Sequence, residues 1–178
     1  MRKLLLIATA LFAFACNNEQ KADSKTSEAP ATVSKVSLPA KMTYDGTAAI
    51  GKAENIATVM NFNLDFIAGK FDNYASYLAD SVTYTMADGS RFNNVRDSAI
   101  AAIKAWREAM SDARQSYISA IAVDNTGKGD EWVMQWIDEA HDYKDGKKEH
   151  LILHEDYRLV NGKIREMFQY SQAIPEKK

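Results

Sequence analysis

Two dipeptides constrain this chain more than anything else in it: Asp145-Gly146 and Asn161-Gly162, each set between long runs of alternating character. Asp-Gly and Asn-Gly are the strongest short signals for a β-hairpin, because both residues of the tightest turns must tolerate positive φ. Residues 131–170 therefore read as three antiparallel strands. If each turn is a two-residue loop, the registers follow. Across the first, Lys144 faces Lys147, Asp138 faces Leu153, Trp136 faces Glu155, Met134 faces Tyr157 and Trp132 faces Leu159. Across the second, Leu159 faces Ile164, Tyr157 faces Glu166, Glu155 faces Phe168 and Leu153 faces Tyr170.

Paired residues share a face of a sheet, so the two registers sort the side chains. One face, expected to point inward, takes Trp132, Met134, Trp136, Leu151, Leu153, Tyr157, Leu159, Ile164, Phe168 and Tyr170. The other takes Glu131, Gln135, Glu139, His141, His150, His154, Asp156, Arg158, Arg165 and Gln169, with Val133, Ile137 and Ile152 as exceptions. A slip of one residue at either turn would undo this sorting. Three acids fall on the apolar face, Asp138, Glu155 and Glu166, and function is to be sought around them.

The chain opens with Arg2-Lys3 and an apolar run over 4–14 that is too short to span a bilayer, which reads as an export signal over 1–15. Ala13-Phe14-Ala15-Cys16, followed by Asn17-Asn18, resembles the lipobox of bacterial lipoproteins, with alanine at position 13 in place of the usual leucine. That resemblance implies acylation of Cys16, the only cysteine of the chain. It also implies a place in the bacterial cell envelope, and Asn17 after the cysteine favours the outer membrane over the inner. Without Arg2 and Lys3 the 22 basic residues become 20 against 24 acidic ones, a net charge of about −4. No basic stripe is present, which argues against nucleic acid as a partner. Residues 16–46 are rich in Lys, Ser, Thr, Glu and Ala, a composition suited to a lipidated, flexible tether. The span 47–173 suits one domain with one core, and 174–178 is a tail.

Within that span the spacing predicts a helix over 47–68 with a wide apolar arc (Ile50, Ile56, Val59, Met60, Leu64, Phe66 and Ile67 among it) and Asn63 inside the arc. A short helix over 70–78 follows, then a strand over 80–86 with Val82, Tyr84 and Met86 on one face, and a turn at Asp88-Gly89. A third helix over 97–110 carries Ile100, Ile103, Trp106, Arg107 and Met110 near one side, and a strand over 114–124 leads through a Gly-rich turn to residue 131. The order predicts an α+β domain with about three helices on one face of a curved, mainly antiparallel sheet.

Ala68-Gly69-Lys70-Phe71-Asp72, Tyr77-Leu-Ala-Asp80, Asp88-Gly89 and Tyr157-Arg-Leu-Val-Asn-Gly-Lys-Ile164 together resemble the nuclear transport factor 2-like superfamily, in particular its SnoaL-like branch. The resemblance implies a cone-shaped sheet wrapped by the helices (cystatin-like), with a pocket at the open end. Its members include ketosteroid isomerases, polyketide cyclases, dehydratases and non-catalytic binding or dimerisation modules, so the fold leaves function open. At the positions where the isomerases carry a tyrosine and a base, this sequence has Phe62 and Met86, while Glu155 keeps the acid. Phenylalanine donates no hydrogen bond and methionine takes no proton, which argues against isomerase chemistry of that kind.

Glu155 in an apolar wall would have a raised pKa and could carry a proton, with Asp138 as a diagonal neighbour sharing it. The alternative is a hydrogen-bonded group that orders its surroundings, the commoner role of inward polar residues. Trp132, Met134, Trp136, Tyr157, Phe168, Tyr84, Trp106, Asn63 and Phe62 are the expected ligand-binding wall, suited to a small apolar or aromatic molecule. His141 facing His150, with His154 nearby, falls on the polar face, where solvated side chains are expected and not a metal site. No nucleotide fingerprint or nucleophile elbow occurs, and no cofactor is expected. Three readings stay open: an anchored ligand-binding module without chemistry, an acid/base enzyme using Glu155, and a module that forms homodimers through its outer sheet face.

Overall fold

The computed structural model describes residues 48–125 and 129–174. The export signal, the whole tether with Cys16, and the tail beyond residue 174 lie outside the described residues. In chain order the elements are β1 (Ala48–Ile50), α1 (Ala53–Ala68), α2 (Tyr74–Tyr77), β2 (Leu78–Thr85), β3 (Arg91–Val95), α3 (Arg96–Glu108), β4 (Met110–Asn125), β5 (Asp130–Tyr143), β6 (Lys148–Val160) and β7 (Lys163–Ala173). The seven strands form one sheet in the order β1-β4-β5-β6-β7-β2-β3. The pairing of β2 with β7 is parallel and the other five are antiparallel. α1 packs on β4, β5 and β7, while α3 packs on β2, β3 and β4, so both helices cover one face of the sheet.

The three-strand meander is present, but its registers differ from the two-residue-loop arithmetic. The Asn161-Gly162 turn is as expected near the loop: both residues have positive φ, 53° and 71°, and Leu159 faces Ile164. At the other turn only Gly146 does, at 90°, and Tyr143 N–H donates to Lys147 O at 2.8 Å. The loop thus has three residues, Lys144-Asp145-Gly146, the form in which a glycine in the left-handed region closes a type I turn. Asp145 Oδ1 accepts the Lys147 N–H at 2.9 Å and fixes that geometry.

One extra loop residue moves β5 by one position against β6. Gln135 now faces Glu155, Val133 faces Tyr157, and Ile137 faces Leu153. Every side chain of β5 consequently changes face. Val133, Gln135, Ile137, Glu139 and His141 are all buried, in strict alternation with half-buried neighbours. A second shift lies in β7, where Leu159 faces Ile164 but Arg158 faces Glu166, leaving Arg165 as the extra residue of a bulge. Beyond it Met167 and Gln169 turn inward while Glu166, Phe168 and Tyr170 turn outward, the reverse of expectation.

The helices are also trimmed. β1 occupies the start of the expected first helix, and Gly51 lets the chain press against β4, with its N–H on Ala122 O at 2.8 Å. The buried face of α1 is a single stripe, Asn55, Val59, Phe62, Asn63 and Phe66; Leu64 is 47% exposed, so the arc is narrower than predicted. α2 is one turn long, and β3 was not foreseen. Arg107 of α3 donates to Phe66 O and Ile67 O at 2.9–3.1 Å, adding a donor to the last carbonyls of α1 and tying the two helices together.

Candidate functional site

Between the helices and the sheet lies a cavity of about 660 Å³. Its walls come from Phe62, Asn63 and Phe66 of α1, Ala99, Ile103 and Trp106 of α3, Tyr84 of β2 with Met86 beyond it, and Phe92 and Asn94 of β3. The sheet supplies Glu139, His141 and Tyr143 of β5, Glu149, Leu151, Leu153, Glu155 and Tyr157 of β6, and Met167, Gln169 and Ser171 of β7. Each strand contributes alternate residues, as a sheet with one face toward a cavity must.

Glu155 lies at the centre of the strand side. Its Oε2 accepts hydrogen bonds from the Tyr157 hydroxyl at 2.7 Å and Gln135 Nε2 at 2.8 Å, and its Oε1 accepts one from Gln169 Nε2 at 3.0 Å. Burial, and after it the charge of Glu139, push the Glu155 carboxyl above the ordinary carboxylate range, against the opposing pull of those three hydrogen bonds. The Tyr157 hydroxyl also lies 3.3 Å from Asn63 Oδ1, so α1 is connected to the same network. Burial drives Tyr157 far above its ordinary pKa, with the Glu155 charge adding to it; this phenol stays protonated and donates.

Nearer α3, His141 is buried among rings: Trp106 at 5.6 Å, Tyr143 at 6.0 Å and Phe66 at 6.4 Å between centroids, all edge to face. Its Nε2 is 2.8 Å from Glu139 Oε1, and its Nδ1 is 3.7 Å from Glu149 Oε2. Neither contact is aligned as a hydrogen bond. Glu139 Oε2 accepts from Gln115 Nε2 at 3.0 Å. Burial raises Glu149, but hydrogen bonds from Lys147 and Tyr143 outweigh it and hold the carboxyl low. The Tyr143 hydroxyl is pushed up to about 12 by burial and by its bond to Glu149.

Two further polar atoms at the cavity have no partner in the protein: the Tyr84 hydroxyl and Asn63 Nδ2. Tyr84 is 6% exposed and Asn63 8%. A buried donor left without a partner costs about 1–3 kcal/mol. Such groups need an explanation, and a ligand is one.

Of the residues singled out from sequence, Glu155, Tyr157, Tyr84, Trp106, Asn63 and Phe62 lie on the cavity. Trp132, Met134, Trp136, Phe168 and Asp138 do not, because the three-residue loop and the bulge turn them to the opposite face. There Trp136 stacks on His154 at 4.6 Å and Trp132 on Phe168 at 6.2 Å. Asp138 pairs with His150 Nε2 at 2.8 Å, on the face opposite Glu155. Glu166 pairs with Arg158 at 3.1 Å. His150 faces Ala140, and His141 points inward alone. Gln135, Glu139, His141 and Gln169 were assigned to the polar face and instead build the buried network. An unbroken run of alternate residues from Val133 to His141 could have exposed this, since Val133 and Ile137 were already exceptions there. Among the described residues no group of three or more His, Cys, Asp or Glu is arranged to hold a metal ion.

No protein-family model and no curated protein matches the sequence. Solved structures do. An LEH-like epoxide hydrolase from M. tuberculosis superposes with a TM-score of 0.57 at 15% identity, over 67% of this chain and 83% of that one. A candidate ketosteroid isomerase from Kribbella flavida gives 0.53 at 13% identity, over 72% and 85%. An NTF2-like protein of unknown function from Exiguobacterium gives 0.51 at 16%, over 65% and 98%. The architecture is the nuclear transport factor 2-like cone: an α+β fold with a curved, mostly antiparallel sheet and a few helices packed on it. At these identities the likeness concerns the fold.

Proposed function

We propose that this domain binds a small, largely apolar molecule in its cavity and performs no chemistry on it, while an acyl group on Cys16 anchors it to the bacterial envelope. The observation that carries the binding reading is the cavity of about 660 Å³ at which the buried Tyr84 hydroxyl and Asn63 Nδ2 lack protein partners. That volume falls within the range of sites for small molecules. Aromatic and aliphatic groups form most of the wall, and polar side chains, four of them acidic, are set among them. The anchor rests on Ala13-Phe14-Ala15-Cys16 and the polar stretch after it. Mass spectrometry of the protein released from membranes by mild detergent tests both parts. A native spectrum is expected to show a small molecule retained at one per chain, and the denatured N-terminal peptide to carry acyl mass on Cys16. A ligand-free native spectrum that stays so after incubation with a metabolite extract, or an unmodified Cys16, would remove the corresponding part.

One observation favours a second reading, an acid/base enzyme: Glu155 is a buried carboxyl with a raised pKa on a cavity wall, and similar structures include an epoxide hydrolase and a candidate isomerase. Against it, both Glu155 oxygens already accept hydrogen bonds from side chains. Phe62 and Met86, which the isomerase resemblance would require to be a donor and a base, are apolar and line the cavity. Turnover of any compound found to bind, abolished by Glu155→Gln, would reinstate the enzyme reading.

A further inference from the structure

We infer that the ligand is an organic cation, an apolar body carrying an amine or ammonium group. This rests on the binding reading above and specifies the chemistry of the same cavity. The wall holds four carboxylates, Asp88, Glu139, Glu149 and Glu155, and among the described residues that line it there is no lysine or arginine. Lys147 neutralises Glu149 with a 2.7 Å contact from outside the cavity. Glu139 and Glu155 have no lysine or arginine partner: Glu139 has His141 and the neutral amide of Gln115 beside it, and Glu155 is held by neutral amides and a phenol. Arg107, the guanidinium on the neighbouring helix, is committed to the carbonyls of Phe66 and Ile67.

The cavity also presents rings around the same acids. Phe66, Trp106 and Tyr143 surround His141 beside Glu139 and Glu149. Aromatic faces attract cations most strongly where water is excluded, and carboxylates without cationic partners do the same. An anion would meet this acidic wall with no lysine or arginine on it to compensate. The unpartnered Tyr84 hydroxyl, buried on the cavity wall, points to a ligand independently of the acids. Its phenol oxygen offers a lone pair to an ammonium hydrogen.

The test is calorimetric titration at neutral pH and low salt with three probes of one shape: 2-(1-naphthyl)ethylamine, 2-(1-naphthyl)ethanol and 1-naphthylacetate. The amine is expected to bind at least tenfold more tightly than the alcohol, and the carboxylate more weakly than either. Glu139→Gln should remove most of the amine's advantage and leave alcohol binding within a factor of three. Ala87→Lys, at an exposed lining position, should weaken the amine about tenfold, and it keeps the test decisive if Glu139→Gln fails to fold. Alcohol or carboxylate binding as tight as the amine's would overturn the cation inference and leave the binding reading in place. If naphthyl probes of all three charges fail to bind the folded protein, both fall.

Discussion

At the scale of single residues, the cavity holds two groups whose burial opposes stability, and each makes a prediction. Tyr84 keeps a hydroxyl away from water without a partner, so Tyr84→Phe removes a buried polar atom and little volume. Urea denaturation should show the variant as stable as the parent or more so, by up to about 1 kcal/mol, while affinity for the bound molecule falls. A loss of stability above that size would mean the hydroxyl has a partner within the fold. Glu155 acts through pH. Its folded pKa lies above the unfolded value, so the folded state binds more protons between the two. The protonated-carboxyl contribution is therefore complete below the unfolded pKa, near 4.5, and is lost as pH rises through the folded one. Glu155→Gln carries no proton to lose. Thermal melts from pH 4.5 to 8 should show the parent losing more stability than Glu155→Gln over the same rise; parallel curves would contradict the assignment.

At the scale of elements, a close approach and two turns decide what was legible. A Cβ on Gly51 would stand 2.9 Å from the backbone of Ala122 and Val123, atoms that cannot swing aside. Gly51→Ala should cost about 1–3 kcal/mol in denaturant titrations and part β1 from β4, seen as faster exchange of the residue-51 amide that bonds Ala122 O. Nothing around Gly51 in the sequence marks this approach; it depends on β4, seventy positions away. β6 was placed correctly, with Leu153, Glu155, Tyr157 and Leu159 inward, because its own alternation sets its faces whatever its neighbours do. β5 was not. Asp-Gly serves both a two-residue loop and the last two positions of a three-residue one, and Lys144 offers no residue-type signal to choose between them. The Arg165 bulge leaves no mark either, since an extra arginine among alternating residues is compatible with both faces. The α1 stripe hid in a different way. It buries Asn55 and Asn63, which a hydropathy wheel counts as polar, and Asn63 is buried because the cavity network gives its Oδ1 a neighbour. Glu155 could thus be found from sequence, while Gln135, Glu139, His141 and Gln169 awaited the registers.

At the scale of the molecule, the cavity exists only once distant parts of the chain meet. β5, β6 and β7 join through short loops, whereas β2 reaches β7 across most of the domain, with Tyr84 opposite Met167 in a parallel pair. Closing that loop requires chain entropy to be lost before the contact forms, so non-local parallel pairing comes late in folding. Val82, 1% exposed on β2, reports on that step, and Leu153, 2% exposed on β6, reports on the meander. Val82→Ala should destabilise by about 1–3 kcal/mol, expressed almost wholly as faster unfolding. Leu153→Ala should instead slow folding by a large share of its effect. Stopped-flow tryptophan fluorescence across a denaturant series distinguishes them, and a folding limb slowed equally by both would place β2 docking before the barrier. Tyr84 and Met86 lie on one side of the cavity and Glu155 and Gln169 on the other, so a ligand touching both sides binds after β2 has docked. At a hundred times its Kd it would add about 2.7 kcal/mol of stability. That gain should appear as slower unfolding with an unchanged folding rate, because the transition state has no cavity to fill.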